Sequence, residues 1–107
     1  MLIDPKLSHY LNEGPTEGII RIYNLQSDKS LLVKSNDIIK DIKNIRFTLD
    51  LGMYKNTELQ ESYAKIGLEL FALDPYKILE KNSKKTLDEL LLESKEELLK
   101  ENVTFFE

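Results

Sequence analysis

The feature that most constrains this chain is a change of apolar period at Asn36–Asp37. Before it, Gly18-Ile19-Ile20-Arg21-Ile22-Tyr23-Asn24-Leu25 is β-branched and partly alternating, and Leu31-Leu32-Val33 follows after the polar link Gln26-Ser27-Asp28-Lys29. Two such runs joined by a polar link read as a β-hairpin. After it, Ile38, Ile42, Ile45 and Leu49 fall at the four-and-three spacing of one helix face, and Gly52 supplies a stop. A hairpin followed directly by an amphipathic helix leaves few folds open. The helix must cover one face of the sheet that the hairpin begins.

The rest of the chain extends the pattern. Thr57 to Ile66 places Leu59, Tyr63 and Ile66 on one side and ends at Gly67, giving a second, shorter helix. Leu70 to Leu79 is apolar but holds Pro75, which cannot donate to a ladder, so it reads as an edge strand or a strand with a break. Thr86-Leu87-Asp88-Glu89 has the spacing of a capping box and opens a leucine-rich helix to about Lys100, with Leu87, Leu90, Leu91, Leu98 and Leu99 expected to face inward. Val103, Phe105 and Phe106 form an apolar tail that must pack somewhere. Near the start, Asp4-Pro5 ahead of Leu7, Tyr10 and Leu11, closed by Gly14, predicts a short N-terminal helix. The expected fold is α/β of the α+β type: a small three-stranded, mainly antiparallel sheet flanked by three to four helices. With 107 residues there is room for one core, so residues 1–107 are read as a single domain, with 1–14 an extension of a core spanning 18–100.

Composition excludes several chemistries. There is no cysteine, hence no disulfide, thiolate nucleophile or cysteine-held metal, which fits a reducing cytoplasm. No apolar run approaches a membrane span, and no membrane partner is expected. The formal net charge of −4 argues against strong nonspecific affinity for nucleic acid. That charge is unevenly spread: residues 86–107 carry seven acidic and two basic side chains, while 18–56 carry seven basic and four acidic.

No catalytic set emerges from the residues alone. His9 is the lone histidine and has no adjacent nucleophile or second ligand. Asp37 and Asp41 share a helix face, as do Glu93, Glu96 and Glu97, but both groups read most simply as solvated faces. Ser27, Ser30 and Ser35 lack a nucleophile-elbow context, and the glycines are too scattered for a phosphate-cradling loop. Neither a metal nor a cofactor is expected. Arg21, Lys29, Lys34, Lys40 and Lys43 lie on or beside the hairpin and first long helix, where they are candidates to contact phosphate from one surface.

Two stretches carry a family resemblance. Gly18-Ile19-Ile20 followed by Arg21-Ile22-Tyr23-Asn24, then Asp28-Lys29-Ser30-Leu31-Leu32-Val33-Lys34-Ser35-Asn36-Asp37-Ile38, is similar to the paired strand motifs of the GIY-YIG nuclease superfamily. Asn56, Leu59-Gln60, Ser62-Tyr63, Lys65-Ile66-Gly67, Glu69 and Phe71 resemble a later stretch of the same family. The likeness covers about residues 18–80, and the last helix loosely.

For such nucleases the resemblance implies a motif tyrosine at or beside the general base, an arginine on the phosphate and a glutamate holding a divalent metal. Carried over residue by residue, the two tyrosine positions are Ile20 and Leu31, the motif glycine is Val33, the arginine is Asp41 and a helix histidine or tyrosine is Ile45. The glutamate falls at Lys95, or, with the helix shifted by two, at Glu93 or Glu97. An isoleucine cannot accept a proton, and aspartate in place of arginine repels the phosphate whose charge must be neutralised. The expectation is a non-catalytic, degenerate GIY-YIG-like module whose former active-site positions, now apolar at Ile20, Leu31, Val33 and Ile45, form a surface for a protein partner or a second copy. The alternative is that these residues close into the core. The competing functional readings are a non-cleaving DNA-binding module and, least favoured, an active metal-dependent endonuclease.

Overall fold

The computed structural model describes residues 16–80 and 84–106. Within them the chain runs β1 (Gly18–Asn24), β2 (Ser30–Ser35), α1 (Ile38–Asp50), α2 (Thr57–Ile66), a single 3-10 turn at Leu68–Leu70, β3 (Phe71–Ile78) and α3 (Leu87–Lys100). The three-stranded antiparallel sheet and three helices match the expected α+β class. The helix expected near the N-terminus, and His9 with it, lie outside the described residues.

The strand order is β2-β1-β3, so β1 is central and both of its neighbours are edges. β1 and β2 pair as a hairpin from Gly18↔Ser35 to Tyr23↔Ser30. Its turn is set by Asn24, whose side-chain oxygen accepts from the backbone N–H of Gln26 at 2.8 Å and of Ser27 at 3.3 Å. β3 has the irregularity that Pro75 foreshadows: Ile20 pairs with Pro75 but Ile19 pairs with Lys77, leaving Tyr76 as an extra residue on the edge strand. Gly18 is required by this pairing, because a Cβ there would sit 2.1 Å from the Lys77 carbonyl oxygen and 2.9 Å from Ile38 Cδ1.

Alternation along β1 builds two cores. Ile20 and Ile22 point to one face, where they meet the α1 stripe Ile38, Ile42, Ile45 and Leu49, then Leu59 and Tyr63 of α2. Ile19 points to the other, where Leu32, Leu90, Leu98 and Val103 join it under α3. The sheet is therefore covered on both sides, by α1 and α2 on one face and α3 on the other.

Each helix start is capped by a side chain, Thr86 as its capping-box spacing predicts. Asp37 accepts from Lys40 N at 3.3 Å, Asn56 from Leu59 N at 2.9 Å and Thr86 from Glu89 N at 3.1 Å. One expectation about α3 is corrected. Leu99 is exposed rather than inward, and the buried line is Leu90, Ser94 and Leu98 at four-residue intervals. Ser94 lets the helix lie close to the sheet, and its hydroxyl is satisfied by the Leu90 carbonyl at 2.8 Å.

Candidate functional site

The positions carried over from the resemblance separate into two groups. Ile20 and Ile45 are buried, at 0% and 9% exposure, inside the core between the sheet and α1. Leu31 and Val33 are half-buried at the margin of that core and line a cleft of about 620 Å³ along β2. The other walls come from the α1–α2 connection, Tyr54 to Thr57, and from Leu91 of α3. Ile20 and Ile45 thus lie in the core, and Leu31 and Val33 beside the cleft.

Asp41 lies in the first turn of α1 and accepts a hydrogen bond from the Ser35 hydroxyl at 2.6 Å, while Ser35 Oγ accepts from the Asp37 backbone N–H at 3.0 Å. A carboxylate near a helix N-terminus is favoured by the aligned peptide dipoles, which gives Asp41 a structural place at the junction of β2 and α1. Lys95 is exposed on α3, one turn beyond Leu91, and does not line the cleft. Nor do the two glutamates beside it. Glu93 is held by Lys85 and Glu97 by Lys77, each at 2.6 Å, and Tyr76 also donates to Glu97 at 3.1 Å. The Lys77 ammonium lowers the Glu97 carboxyl below its usual range. Among the described residues no group of three or more histidine or acidic side chains is placed to hold a metal ion.

The five basic candidates do not share one surface. Arg21 donates to Ser30 Oγ at 3.0 Å and lies 4.1 Å from the centroid of the Tyr23 ring, on the sheet face that α3 covers. Lys29 pairs with Glu58 of α2 and approaches the Phe106 ring. Lys34 pairs with Asp88 of α3 at 2.5 Å. Lys40 and Lys43 are exposed on the outer side of α1.

Among the cleft residues that sequence reasoning does not place at a site are Tyr54 and Leu91. Tyr54 is buried at 9% exposure, its backbone N–H donating to Gln60 Oε1 at 2.8 Å, while Gln60 Nε2 donates to the Leu49 carbonyl at 3.0 Å. Asn56 and Gln60, the most distinctive residues of the second family-like stretch, therefore brace the α1–α2 connection. Burial pushes the Tyr54 phenol above its usual pKa, because a phenolate would lose solvation there. The signal for Tyr54 was a large aromatic in a short interhelical link, and the signal for Leu91 was hidden in a run of leucines.

A hairpin leading into a helix that covers one sheet face, with a final helix on the other, is also found in solved structures. The catalytic domain of the homing endonuclease I-TevI matches with a TM-score of 0.62 at 23% identity, over 85% of this chain and 98% of that one. A point mutant of the same intron endonuclease domain matches with a TM-score of 0.59 at 23% identity, over 80% of this chain and 82% of that one. The fold is like that of the GIY-YIG domain of I-TevI. By sequence, no protein-family model and no curated protein matches the chain. At this identity the likeness is one of fold, so the chemistry of the cleft rests on its own residues.

Proposed function

We propose that this chain is a non-catalytic GIY-YIG-type module that binds protein through the cleft along β2. The observation that carries this reading is the set of groups lining it. Leu31, Leu32, Val33 and Leu91 supply apolar surface, and the titratable groups are Lys34, Lys55 and Tyr54. Phosphodiester hydrolysis asks for a base, a cation on the phosphate and, in this fold family, a carboxylate for a metal. Tyr54 holds its proton more tightly than an ordinary phenol, and none of the cleft-lining residues is a carboxylate. Apolar surface rimmed by polar side chains suits association with another polypeptide.

Two measurements test this. Supercoiled plasmid incubated with magnesium or manganese is expected to stay intact, and cleavage abolished by a chelator would overturn the non-catalytic reading. Light scattering across concentration is expected to show the chain associating, with itself or with an added partner, in a way that Leu31→Glu weakens. Retention on DNA that falls steeply with salt, with no effect of Leu31→Glu on protein association, would move the function to nucleic-acid binding.

A further inference from the structure

The cleft has a backbone side as well as a side-chain side. In an antiparallel pair, alternate residues direct their N–H and C=O toward the partner strand, and the residues between direct theirs outward. On β2 the outward set is fixed by Ser30, whose N–H donates to the Thr104 carbonyl and whose carbonyl accepts from the Phe106 N–H, both at 2.9 Å. Counting by two along the ladder, Leu32 and Lys34 also face outward. Among the described residues neither has a hydrogen-bond partner for its backbone N–H or C=O. Both residues line the cleft.

We propose that the cleft receives an extended peptide segment that pairs with the β2 edge at Leu32 and Lys34. This rests on the protein-binding reading and specifies its mode. The chain itself shows that the edge accepts an extended segment, since its own tail bridges Ser30 in parallel orientation at Phe105. The two walls define the side chains of the occupant. One is formed by Leu32 and Leu91, while on the other Leu31, Val33 and Tyr54 lie beside Lys55, Asn56 and Thr57, with Lys55 the charged group of that side. Lys34 and Lys55 are the charged residues of the lining. Successive side chains of a strand point to opposite faces, so the segment that fits alternates apolar residues toward Leu91 with carboxylates toward Lys55.

The geometry supplies a selective test. The Lys34 N–H points away from β1, so Lys34→Pro removes an outward donor and leaves the β1–β2 ladder intact, as proline is tolerated on edge strands. Lys34→Ala removes the same ammonium but keeps the N–H. The probe is a fluorescein-labelled hexapeptide of alternating valine and glutamate, titrated by anisotropy against the full chain. Lys34→Pro is expected to bind at least about fivefold more weakly than Lys34→Ala, which shares the loss of the ammonium, the difference being the cost of a lost hydrogen bond. A peptide N-methylated at alternate residues should lose binding in the same way, and a valine–lysine peptide should not bind. Circular dichroism of Lys34→Pro checks that the variant is folded; if it is not, the N-methylated peptide decides alone. Equal binding of methylated and unmethylated peptides overturns strand pairing while leaving the protein-binding reading in place. Absence of saturable binding up to the solubility limit overturns the inference, and the light-scattering assay judges the broader reading separately. A dimer broken by Lys34→Pro and unaffected by Lys34→Ala would replace the foreign peptide with a second copy of the chain.

Discussion

The two positions at which the family resemblance implies a tyrosine respond oppositely to receiving one. Ile20 is at 0% exposure in the core that also holds Ile38, Ile42, Ile45 and Leu73. Ile20→Tyr forces a longer side chain into a closed space, at about 1–3 kcal/mol, and buries a hydroxyl without a partner, at about 1–3 kcal/mol more. The sum is at least about 2 kcal/mol. With a urea slope of about 1–3 kcal/mol/M, it lowers the unfolding midpoint by roughly 1 M. Leu31→Tyr places the same group at the half-buried margin of the cleft, where the hydroxyl can stay in water, and is expected to cost under about 1 kcal/mol. Urea unfolding of both variants beside wild type, followed by far-ultraviolet circular dichroism, reads the contrast. Equal midpoints for Ile20→Tyr and wild type would refute the division into a sealed core and an open cleft. Ile20 and Leu31 would then both belong to an accessible surface.

Other consequences can be checked on the same samples. Gly18→Ala is expected to disrupt the β1–β3 pairing, because its Cβ would meet the Lys77 carbonyl oxygen at 2.1 Å; it should fold poorly or unfold far earlier than wild type in a thermal scan. Asn56→Ala removes the cap of α2 and should cost about 1 kcal/mol, against a few tenths for Asn56→Gly, by the same urea assay. Tyr63 has a folded pKa pushed up to about 12 by burial and by its hydrogen bond to the Asp50 carboxylate. Its folded pKa lies above the unfolded value of 10.0, so its contribution is intact below pH 10 and is lost as pH rises toward 12. Phenolate absorbance should show part of the tyrosine titration delayed, and Asp50→Asn should bring the latest part of it to lower pH; no change in Asp50→Asn would place the cause elsewhere.

What could be read from the sequence follows the range of the forces involved. The α1 stripe, the caps Asp37, Asn56 and Thr86, and the irregularity at Pro75 are local, each decided by residues within one turn or one strand. The inward line of α3 was less legible. Leucines at 87, 90, 91, 92, 98 and 99 encircle the helix, so apolar period alone could not choose a face, and the choice depends on Ser94 permitting close approach to the sheet. The resemblance groups Leu31 and Val33 with Ile20 and Ile45 and cannot tell the pair beside the cleft from the pair in the core, because one-residue differences in depth depend on how α1 lies across the strands. Tyr54 and Leu91 are brought together by elements more than thirty residues apart in the chain, a juxtaposition that only tertiary packing creates. The same limit applies to the basic residues. Their grouping in sequence dissolves once β1, β2 and α1 send them to separate faces.

Arg21 matters for a reason unconnected with phosphate. A strand buried on both faces loses the usual safeguard against sliding by one residue, since either register would still place apolar side chains against a core. In β1 a slip would turn Arg21 toward the layer now occupied by Ile20 and Ile22, where a guanidinium would be stranded without water or a counter-charge. The single charged side chain of the central strand thus acts as an index mark, penalising the wrong alignment of both neighbours at once. Neutral replacement there should leave the native state intact while allowing mispaired, aggregation-prone forms to compete during folding.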